Sequence, residues 1–495
     1  MNPINFLVAA GLVHGVLFFF NVMFRSCSHI PYLLFMENTG LEVKTFSIKW
    51  FTGALNRPLV KWGTSRSKFW ILWFNLGVLV TMALLPVASF ILIKMLVLMF
   101  LSGPKGEKVA AGWELEPMIP GVNVPFADIQ YYAITLGLCS IVHEAGHALA
   151  AAREDVQLYG VGMLLVYIVP VAFVSLNSEQ LSQRPMQNQL RILCAGVWHN
   201  VVLAVVAAVG VFLGPWLWAP MFSVNSGVVI TSIHPHSPLL GVTGLSHYDV
   251  IHTINDCPVR NGNDWHNCIL QAVKQPTPGY CVPQSLVQEH DESIPVWTMA
   301  NGEVNCCRRE SEADGKLCFE FIEESQVPLQ LQEHSCLPTR LIIEMSRGIC
   351  RSGKQCLESG THCMKPTLDN VTKIVQIKRE IGKDVLFFGH PAEIYRTLEI
   401  SEWVPKYQIF SSDLPESLTL LCKYITVISA GLAVMNVVPC FFFDGQHIVS
   451  TLAQNLLRPR IRHKSLRQAI ALTVTSVGTL VLVINIIHAL VQRQR

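Results

Sequence analysis

Long apolar stretches are the feature that most restricts how this 495-residue chain can fold. A run of about 18 or more apolar residues is long enough to cross a bilayer as a helix. Stretches of this kind cover residues 4–24, 69–101, 128–152, 157–176, 192–221, 417–441 and 467–491. Only 15% of the residues are charged, against about 25% in soluble proteins. The sequence therefore predicts a multi-pass α-helical membrane protein, with nothing in its near-balanced charge that points to nucleic acid.

Three of these stretches leave alternatives open. Residues 4–24 lack a basic segment before them and an obvious small-residue cleavage site, which favours a retained anchor over a signal peptide. Residues 69–101 are too long for one upright span, so a tilted helix and a short hairpin both fit. Residues 157–176 are rich in Gly and Val and contain Pro170, which favours a re-entrant or edge-strand segment. The topology of residues 1–101 stays open.

Cysteines are concentrated in the polar block between the fifth and sixth stretches. Ten of the fifteen fall there: Cys257, Cys268, Cys281, Cys306, Cys307, Cys318, Cys336, Cys350, Cys356 and Cys363. An even number without C-x-x-C spacing favours disulfides over zinc knuckles. The sequon Asn370-Val371-Thr372 adds a candidate glycosylation site at Asn370. Both features predict that this block is luminal or extracellular.

The polar block has an interrupted β pattern. Residues 226–269 alternate short β-branched runs with turns and resemble a PDZ-like domain, although any small β-rich module would show the same pattern. Residues 281–363 read as a Cys-rich insertion, after which strand character returns over residues 371–410. The predicted domains are N-terminal membrane anchors at 1–127, a membrane core at 128–221, a luminal PDZ-like domain with its insertion at 222–416, and a C-terminal membrane core at 417–495.

Orientation follows from the luminal block. If residues 222–416 are luminal, residues 417–441 return the chain to the cytosol. The next loop, residues 457–467, carries five Lys or Arg residues, in agreement with the positive-inside rule. The same count runs residues 128–152 from lumen to cytosol and places His143 and His147 in the cytosolic half of the bilayer.

The sequence HEAGH, residues 143–147, puts ionisable side chains in an apolar helix. Residues four apart share one helix face, so the His143 and His147 imidazoles can both reach one Zn²⁺. Glu144 stands beside them as a candidate general base, which completes the H-E-x-x-H pattern of metalloproteases. Ionisable residues in spanning helices are costly and usually functional. The alternative is a histidine pair that hydrogen-bonds between helices.

A catalytic zinc site needs a third protein ligand. Asp444 is the best candidate, because it follows a spanning stretch and lies on the predicted cytosolic side, as the two histidines do. Gly445 allows the backbone to turn there. The alternative is an Asp that caps a helix beginning near Gln446. One Zn²⁺ per chain is the prediction.

Three motifs in this order resemble the site-2 protease family of intramembrane zinc metalloproteases, most closely its eukaryotic branch. They are HEAGH, CAGVWHN (194–200) and NVVPCFFFDG (436–445). The resemblance implies that His143, His147 and Asp444 bind zinc and that Glu144 is the general base.

The second and third motifs carry further implied roles. Gly196 and Asn200 match the family's G-x-x-x-N pattern, and Asn436 matches its N-x-x-P…D-G pattern. The resemblance implies that the two asparagines bind the substrate backbone or stabilise the oxyanion. Phe443 and Phe441 depart from the residues usual in the family, which affects local shape more than the metal ligands. His199, nearby, reads as structural.

The resemblance also implies a substrate: a membrane-anchored transcription factor precursor, such as a sterol regulatory element-binding protein, cut inside the bilayer after a first luminal cut. It implies a place in the Golgi or endoplasmic reticulum and in sterol regulation and the unfolded protein response. The spanning substrate must unwind before attack, and a strand-like surface near residues 157–176 is a candidate receiver by β-addition. The luminal domain is a candidate size filter.

Two other classes of protein fit parts of the pattern. Some zinc transporters carry H-E-x-x-H on a spanning helix, but they usually add a neighbouring helix rich in His and Glu, which residues 192–221 are not. A catalytically silent zinc-binding scaffold has no need to keep Glu144. Metal analysis combined with cleavage of a membrane substrate separates the three.

Overall fold

The computed structural model describes residues 3–101, 125–241, 244–298, 304–308, 315–322, 333–356, 360–369, 371–407 and 409–492. The chain divides into two compact units. Unit 1 is Met1–Leu213 with Leu418–Arg495, and unit 2 is Gly214–Ser417. Asn370, the predicted glycosylation site, lies outside the described residues.

Helices account for most of unit 1. In chain order the α-helices of the described residues are α1 (Pro3–Ser26), α2 (Ile30–Thr39), α3 (Asn56–Thr64), α4 (Ser67–Leu101), α5 (Ile129–Arg153), α6 (Ser178–Gln183), α7 (Met186–Trp218), α8 (Gly262–Lys274), α9 (Gln284–His290), α10 (Thr339–Met345), α11 (Ala392–Thr397), α12 (Asp413–Val437), α13 (Asp444–Leu456) and α14 (Lys464–Gln492). Six of them, α1, α4, α5, α7, α12 and α14, are long and apolar enough to cross a membrane. They cover six of the seven predicted apolar stretches, so the prediction of several long apolar helices is confirmed.

The two open stretches take different forms. Residues 69–101 lie in one continuous helix, α4, which has 35 residues and contains Pro86. At about 1.5 Å per residue this helix is roughly 52 Å long, well beyond the ~30 Å hydrocarbon core. Residues 157–176 instead form a β-hairpin of β3 and β4, whose bounds follow.

Strands occur in both units. They are β1 (Leu41–Lys44), β2 (Ser47–Thr52), β3 (Leu158–Val166), β4 (Val169–Leu176), β5 (Phe222–Ser223), β6 (Val228–Ile233), β7 (Val250–Ile254), β8 (Cys257–Pro258), β9 (Gly279–Pro283), β10 (Trp297–Thr298), β11 (Val304–Asn305), β12 (Lys316–Phe321), β13 (His334–Pro338), β14 (Ile349–Cys350), β15 (Thr361–Pro366), β16 (Lys373–Arg379), β17 (Val385–Gly389), β18 (Leu398–Ser401) and β19 (Val404–Pro405).

Unit 1 holds one antiparallel sheet in the order β1-β2-β3-β4. Residues 41–52 supply its first hairpin and residues 158–176 its second, so the sheet joins distant parts of the chain. Strand β4 is the edge strand beside α5. Pro170 lies on this strand, where an edge position tolerates its missing N–H.

Helix α1 holds this sheet through two buried polar side chains. His14 and Asn21 are each 4% exposed, although most of α1 faces outward. His14 Nε2 lies 2.7 Å from the carbonyl oxygen of Tyr167, in the turn between β3 and β4. Asn21 Nδ2 donates to the carbonyl of Val43 in β1, 3.1 Å away. The N-terminal helix is therefore tied to both ends of the sheet.

The spanning helices pack through apolar side chains in several clusters. One cluster joins α4, α7, α12 and α14 through Leu92, Val197, Ala433 and Leu482. A second joins α5, α7 and α12 around Cys139, Ala207 and Ile428. Helices α7 and α12 take part in both clusters. The 194–200 motif of α7 lies against α5, since a Cβ on Gly146 would be 2.7 Å from the Ala195 carbonyl oxygen.

Unit 2 is built on two larger sheets. One has the order β17-β16-β7-β6-β18, with β8 paired to β7, and it packs α8 through a core that includes Trp265 and Ile254. The other has the order β13-β12-β15-β9-β14. The first sheet therefore takes its strands from both sides of residues 279–366, and the second lies entirely within them.

All ten cysteines of the polar block are paired, as predicted. The disulfides are Cys257–Cys268, Cys281–Cys356, Cys306–Cys318, Cys307–Cys336 and Cys350–Cys363. The pairing, which the sequence left open, separates the adjacent Cys306 and Cys307 onto two different partners. The remaining five cysteines, Cys27, Cys139, Cys194, Cys422 and Cys440, are free thiols in unit 1.

Candidate metal centre

Three predicted ligands meet at one point inside unit 1. His143 Nε2 and His147 Nε2 are 3.2 Å apart, and each lies close to Asp444 Oδ2, at 3.1 Å and 3.2 Å. The two histidines are buried and Asp444 is mostly buried. Among the described residues this group and a cluster of disulfide-bonded cysteines are the two sets close enough to share a metal ion.

Local helix geometry brings the donors together. His143 and His147 lie one turn apart on α5, so their imidazoles point the same way. Asp444 is the first residue of α13, so its side chain projects from the helix start toward the histidines. Gly445 is needed there, because a Cβ at that position would lie 2.1 Å from the Val438 carbonyl oxygen. The loop before it is strained, since Phe442 has a φ of 71°.

The spacing of the donors fits a tetrahedral metal ion. Two atoms bound at ~2.1 Å in tetrahedral geometry lie ~3.4 Å apart, which is close to the three separations given above. Two imidazole nitrogens and one carboxylate oxygen are a donor set that zinc accepts in enzymes. The residues present therefore fit a zinc ion that three protein donors would hold.

Gly196 of α7 faces this point. A Cβ built on Gly196 would lie 2.3 Å from His147 Nε2 and 2.6 Å from His143 Nε2. Any larger residue would press on both candidate donor atoms. The glycine of the G-x-x-x-N pattern is thus explained by close approach of the α7 backbone to the histidine pair.

The other nitrogen of each imidazole is also held. His147 Nδ1 donates to the carbonyl oxygen of Ile192, 2.8 Å away, so its Nε2 is left with a lone pair for a metal. His143 Nδ1 lies 3.2 Å from the side-chain amide of Asn200, which is fully buried. A 180° rotation of the Asn200 amide exchanges its Oδ1 and Nδ2. When His143 Nδ1 carries the proton, Asn200 Oδ1 faces it and accepts the hydrogen bond.

Glu144 is anchored by a backbone amide. Its Oε2 accepts a hydrogen bond from the N–H of Val174 on β4, with an N···O distance of 2.9 Å. One turn earlier on α5, Ser140 Oγ accepts from the N–H of Ala172, at 2.7 Å. The candidate base therefore stands between the histidine pair and the edge of the hairpin.

The remaining predicted residues lie around this group. His199 Nδ1 donates to the Ala195 carbonyl, and its ring fills the space against Gly146, in keeping with a structural role. Asn436 is partly exposed near the end of α12, and the described contacts include none between it and the three candidate ligands. Asn200 is brought to the site, behind His143.

Val174 and Ile192 have no signal in the sequence, because they contact the site through backbone groups and not through their side chains. Ser140 offered a weak signal, since it lies four residues before Glu144 and so on the same helix face. Its partner, the Ala172 amide, again had no sequence signal.

The sequence relationships agree with this geometry. Residues 131–484 match peptidase family M50, and the chain belongs to that family. It is therefore a membrane metalloprotease by descent, and metal dependence is a property of the family. A relative in Arabidopsis thaliana, named membrane-bound transcription factor site-2 protease homolog, is 25% identical over 462 residues, covering 83% of this chain and 86% of the plant protein. The predicted site-2 protease resemblance is confirmed at the level of family.

Proposed function

We propose that this protein is a zinc endopeptidase that hydrolyses a peptide bond in or near the membrane-spanning helix of a membrane-anchored substrate. The observation that carries the proposal is the convergence of His143 Nε2, His147 Nε2 and Asp444 Oδ2 beside Glu144, within a bundle of apolar helices. Ionisable groups in such surroundings are costly, so their convergence favours function over packing.

His143, His147 and Asp444 would hold the zinc. When bound, the ion supplies a Lewis acid that polarises the scissile carbonyl. Glu144 takes the proton from the attacking water and returns it to the leaving amine. Because Oε2 is held by the Val174 amide, we assign the proton transfers to Oε1. Asn200 orients His143, and its buried place favours this role over direct contact with substrate.

The proposed substrate class rests on the family resemblance. The plant relative is named for a transcription factor protease, and on that resemblance we propose membrane-anchored transcription factor precursors, sterol regulatory element-binding proteins among them, as the substrate class. We place unit 2 in the lumen of the Golgi or endoplasmic reticulum, because its ten paired cysteines suit an oxidising compartment. We retain the PDZ-like assignment for its first sheet and Asn436 as a substrate-backbone donor.

The proposal is tested by Glu144→Gln. This variant should bind zinc as the parent protein does, because the three ligands are unchanged, while cleavage of a single-span test protein in nanodiscs falls by at least about 100-fold. Bound zinc is measured by mass spectrometry and cleavage by gel. Glu179→Gln, an exposed carboxylate on α6, is the matched control and should cleave normally.

Asp444→Asn distinguishes loss of the metal from loss of the general base. Losing the anionic donor should reduce bound zinc and cleavage together, whereas Glu144→Gln reduces cleavage alone. Normal cleavage by Glu144→Gln would contradict the mechanism. Unchanged zinc in Asp444→Asn would remove Asp444 from the ligand set. A parent protein that binds zinc without cleaving any membrane substrate would favour the silent scaffold.

A further inference from the structure

The outward edge of β4 presents a short row of backbone groups to α5. In the β3–β4 pairing, Met163 faces Ala172 and Val161 faces Val174. The N–H groups of Ala172 and Val174 point away from β3, because both donate to α5 side chains. Pro170, two residues earlier on the same edge, has no N–H to offer. The two amides are therefore the donors that this edge presents to α5 within residues 170–174.

Two side chains of α5 accept hydrogen bonds from these amides, and the spacing of the acceptors matches that of the donors. Ser140 and Glu144 are one helical turn apart, and Ala172 and Val174 are one strand repeat apart. One turn of helix rises ~5.4 Å and two strand residues rise ~6.6 Å, so the two rows of partners stay in step. The hairpin edge and the catalytic face of α5 are thus joined by two short hydrogen bonds.

We propose that the backbone amide of Val174 is the positioning group for the general base Glu144, an inference that rests on the proposed function. A carboxylate on a helix has several rotamers. Only those that keep one oxygen near the three candidate metal ligands allow proton transfer. The Val174 N–H fixes Oε2 and so limits where Oε1 lies. A hydrogen bond to a charged acceptor is roughly twice as strong as one between neutral groups, which makes this anchor effective.

The same geometry bears on substrate addition. A substrate strand paired with β4 at these positions would need the Ala172 and Val174 amides, which Ser140 and Glu144 already occupy. Strand β3 has neighbours on both sides, β2 and β4. An extended substrate that uses these two amides would therefore have to displace the side chains of Ser140 and Glu144.

Proline substitution tests the amide without breaking the ladder. Val174→Pro removes the donor to Glu144, and Ala172→Pro removes the donor to Ser140; both N–H groups face outward, where proline is tolerated. Relative to Val174→Ala, which keeps the amide, Val174→Pro should lower kcat by about 10- to 100-fold with KM and bound zinc little changed. Ala172→Pro should lower kcat less than about three-fold. An equal loss of kcat in both proline variants would overturn the proposal, because it would indicate distortion of β4 and not loss of the hydrogen bond to Glu144.

Two further measurements keep the outcome decisive. In a Glu144→Gln background, Val174→Pro should cost nothing further, since it acts through the base. Hydrogen exchange needs no cleavage: in Glu144→Ala the Val174 amide should exchange about ten-fold faster, while Glu144→Gln, which keeps an acceptor, should protect it. Exchange that is identical in Glu144→Ala and the parent protein would refute the anchor, even if the proline variants fold poorly. A parent protein that cleaves nothing fails the proposed function, and the exchange data then still decide the contact.

Discussion

At the scale of single residues, the candidate metal centre depends on what surrounds its ligands. Each imidazole is oriented from behind, His147 by a backbone carbonyl and His143 by a buried amide. Partners of this kind fix which nitrogen faces the metal, and their loss typically lowers metal affinity by 10- to 100-fold. The centre therefore depends on more than its ligands. Ile192 and Asn200 orient the two imidazoles, and Gly196 leaves room for them.

Gly196→Ala gives a prediction at this scale. The new Cβ would lie 2.3 Å from His147 Nε2, far inside van der Waals contact, so the histidine pair must move. We expect bound zinc and cleavage to fall together, by at least about ten-fold, as for loss of an orienting partner. Zinc content after dialysis against a weak chelator measures this.

Gly210→Ala, on the same helix, is the matched control. Among the described residues its Cβ would meet only Cys422 Sγ, at 3.8 Å, which is ordinary contact. It should keep its zinc, with stability unchanged or raised by up to about 1 kcal/mol from better helix propensity. Equal zinc content in the two variants would contradict the close approach at position 196.

At the scale of elements, the hairpin of β3 and β4 connects the N-terminal part of unit 1 to the metal centre. Its turn is held by α1 through His14, and its outer edge holds Glu144 through Val174. The buried His14 on a mostly outward-facing helix is explained by this hydrogen bond, because a partly buried carbonyl without a donor is costly.

His14→Leu tests this connection. The substitution fills the space with an apolar side chain but leaves the partly buried Tyr167 carbonyl without its donor, which costs about 1 kcal/mol, the low end of the range for a buried group. Amides of the turn, residues 165–169, should exchange about ten-fold faster in hydrogen-exchange mass spectrometry of the full chain.

Val13→Ala is the control, because Val13 is 58% exposed on the same helix and its truncation removes no such bond. Its turn should exchange as in the parent protein. If His14→Leu leaves the turn equally protected, the hydrogen bond to Tyr167 contributes nothing measurable to the hairpin.

At the scale of the whole molecule, the two units are stabilised in different ways. Unit 1 packs apolar helices and keeps its five cysteines as thiols, whereas unit 2 builds two sheets closed by five disulfides. Cross-links act mainly on the unfolded chain, and their effect grows with the loop that they close. Reduction should therefore affect unit 2 and leave the metal ligands intact.

The size of each loop gives a graded prediction. The Cys281–Cys356 bond spans 75 residues and Cys257–Cys268 spans 11, which correspond to about 4.5 and about 2.8 kcal/mol of loop entropy. The double substitution Cys281→Ser with Cys356→Ser should thus destabilise unit 2 by roughly 2 kcal/mol more than Cys257→Ser with Cys268→Ser. Hydrogen exchange of unit 2 peptides in the full chain measures both.

Zinc content is the internal control for these variants. It should stay at the parent value in both, because the ligands lie in unit 1. A larger loss of stability from the 11-residue loop would contradict the entropic account, and loss of zinc in either variant would contradict the independence of the metal ligands from the disulfides.

Much of this protein follows from its sequence alone. Apolar runs predict spanning helices because length and hydropathy are local properties, and HEAGH predicts paired ligands because helical spacing is local too. The clustered cysteines predicted disulfides, though not their partners. The predicted topology named Asp444 as the third ligand, and the family motifs implied the same residue, but neither gave a distance to the histidines.

Only the tertiary structure decided which groups meet. Asp444 reaches a histidine 297 residues away in sequence because α12, α13 and α5 pack in one unit, and packing of distant segments leaves no local pattern. The Val174 amide and the Ile192 carbonyl are backbone groups that nearly every residue type supplies, so the side chains at these positions give no signal for them. The choice between one helix and two over residues 69–101 was likewise settled by three-dimensional packing, since Pro86 is compatible with either.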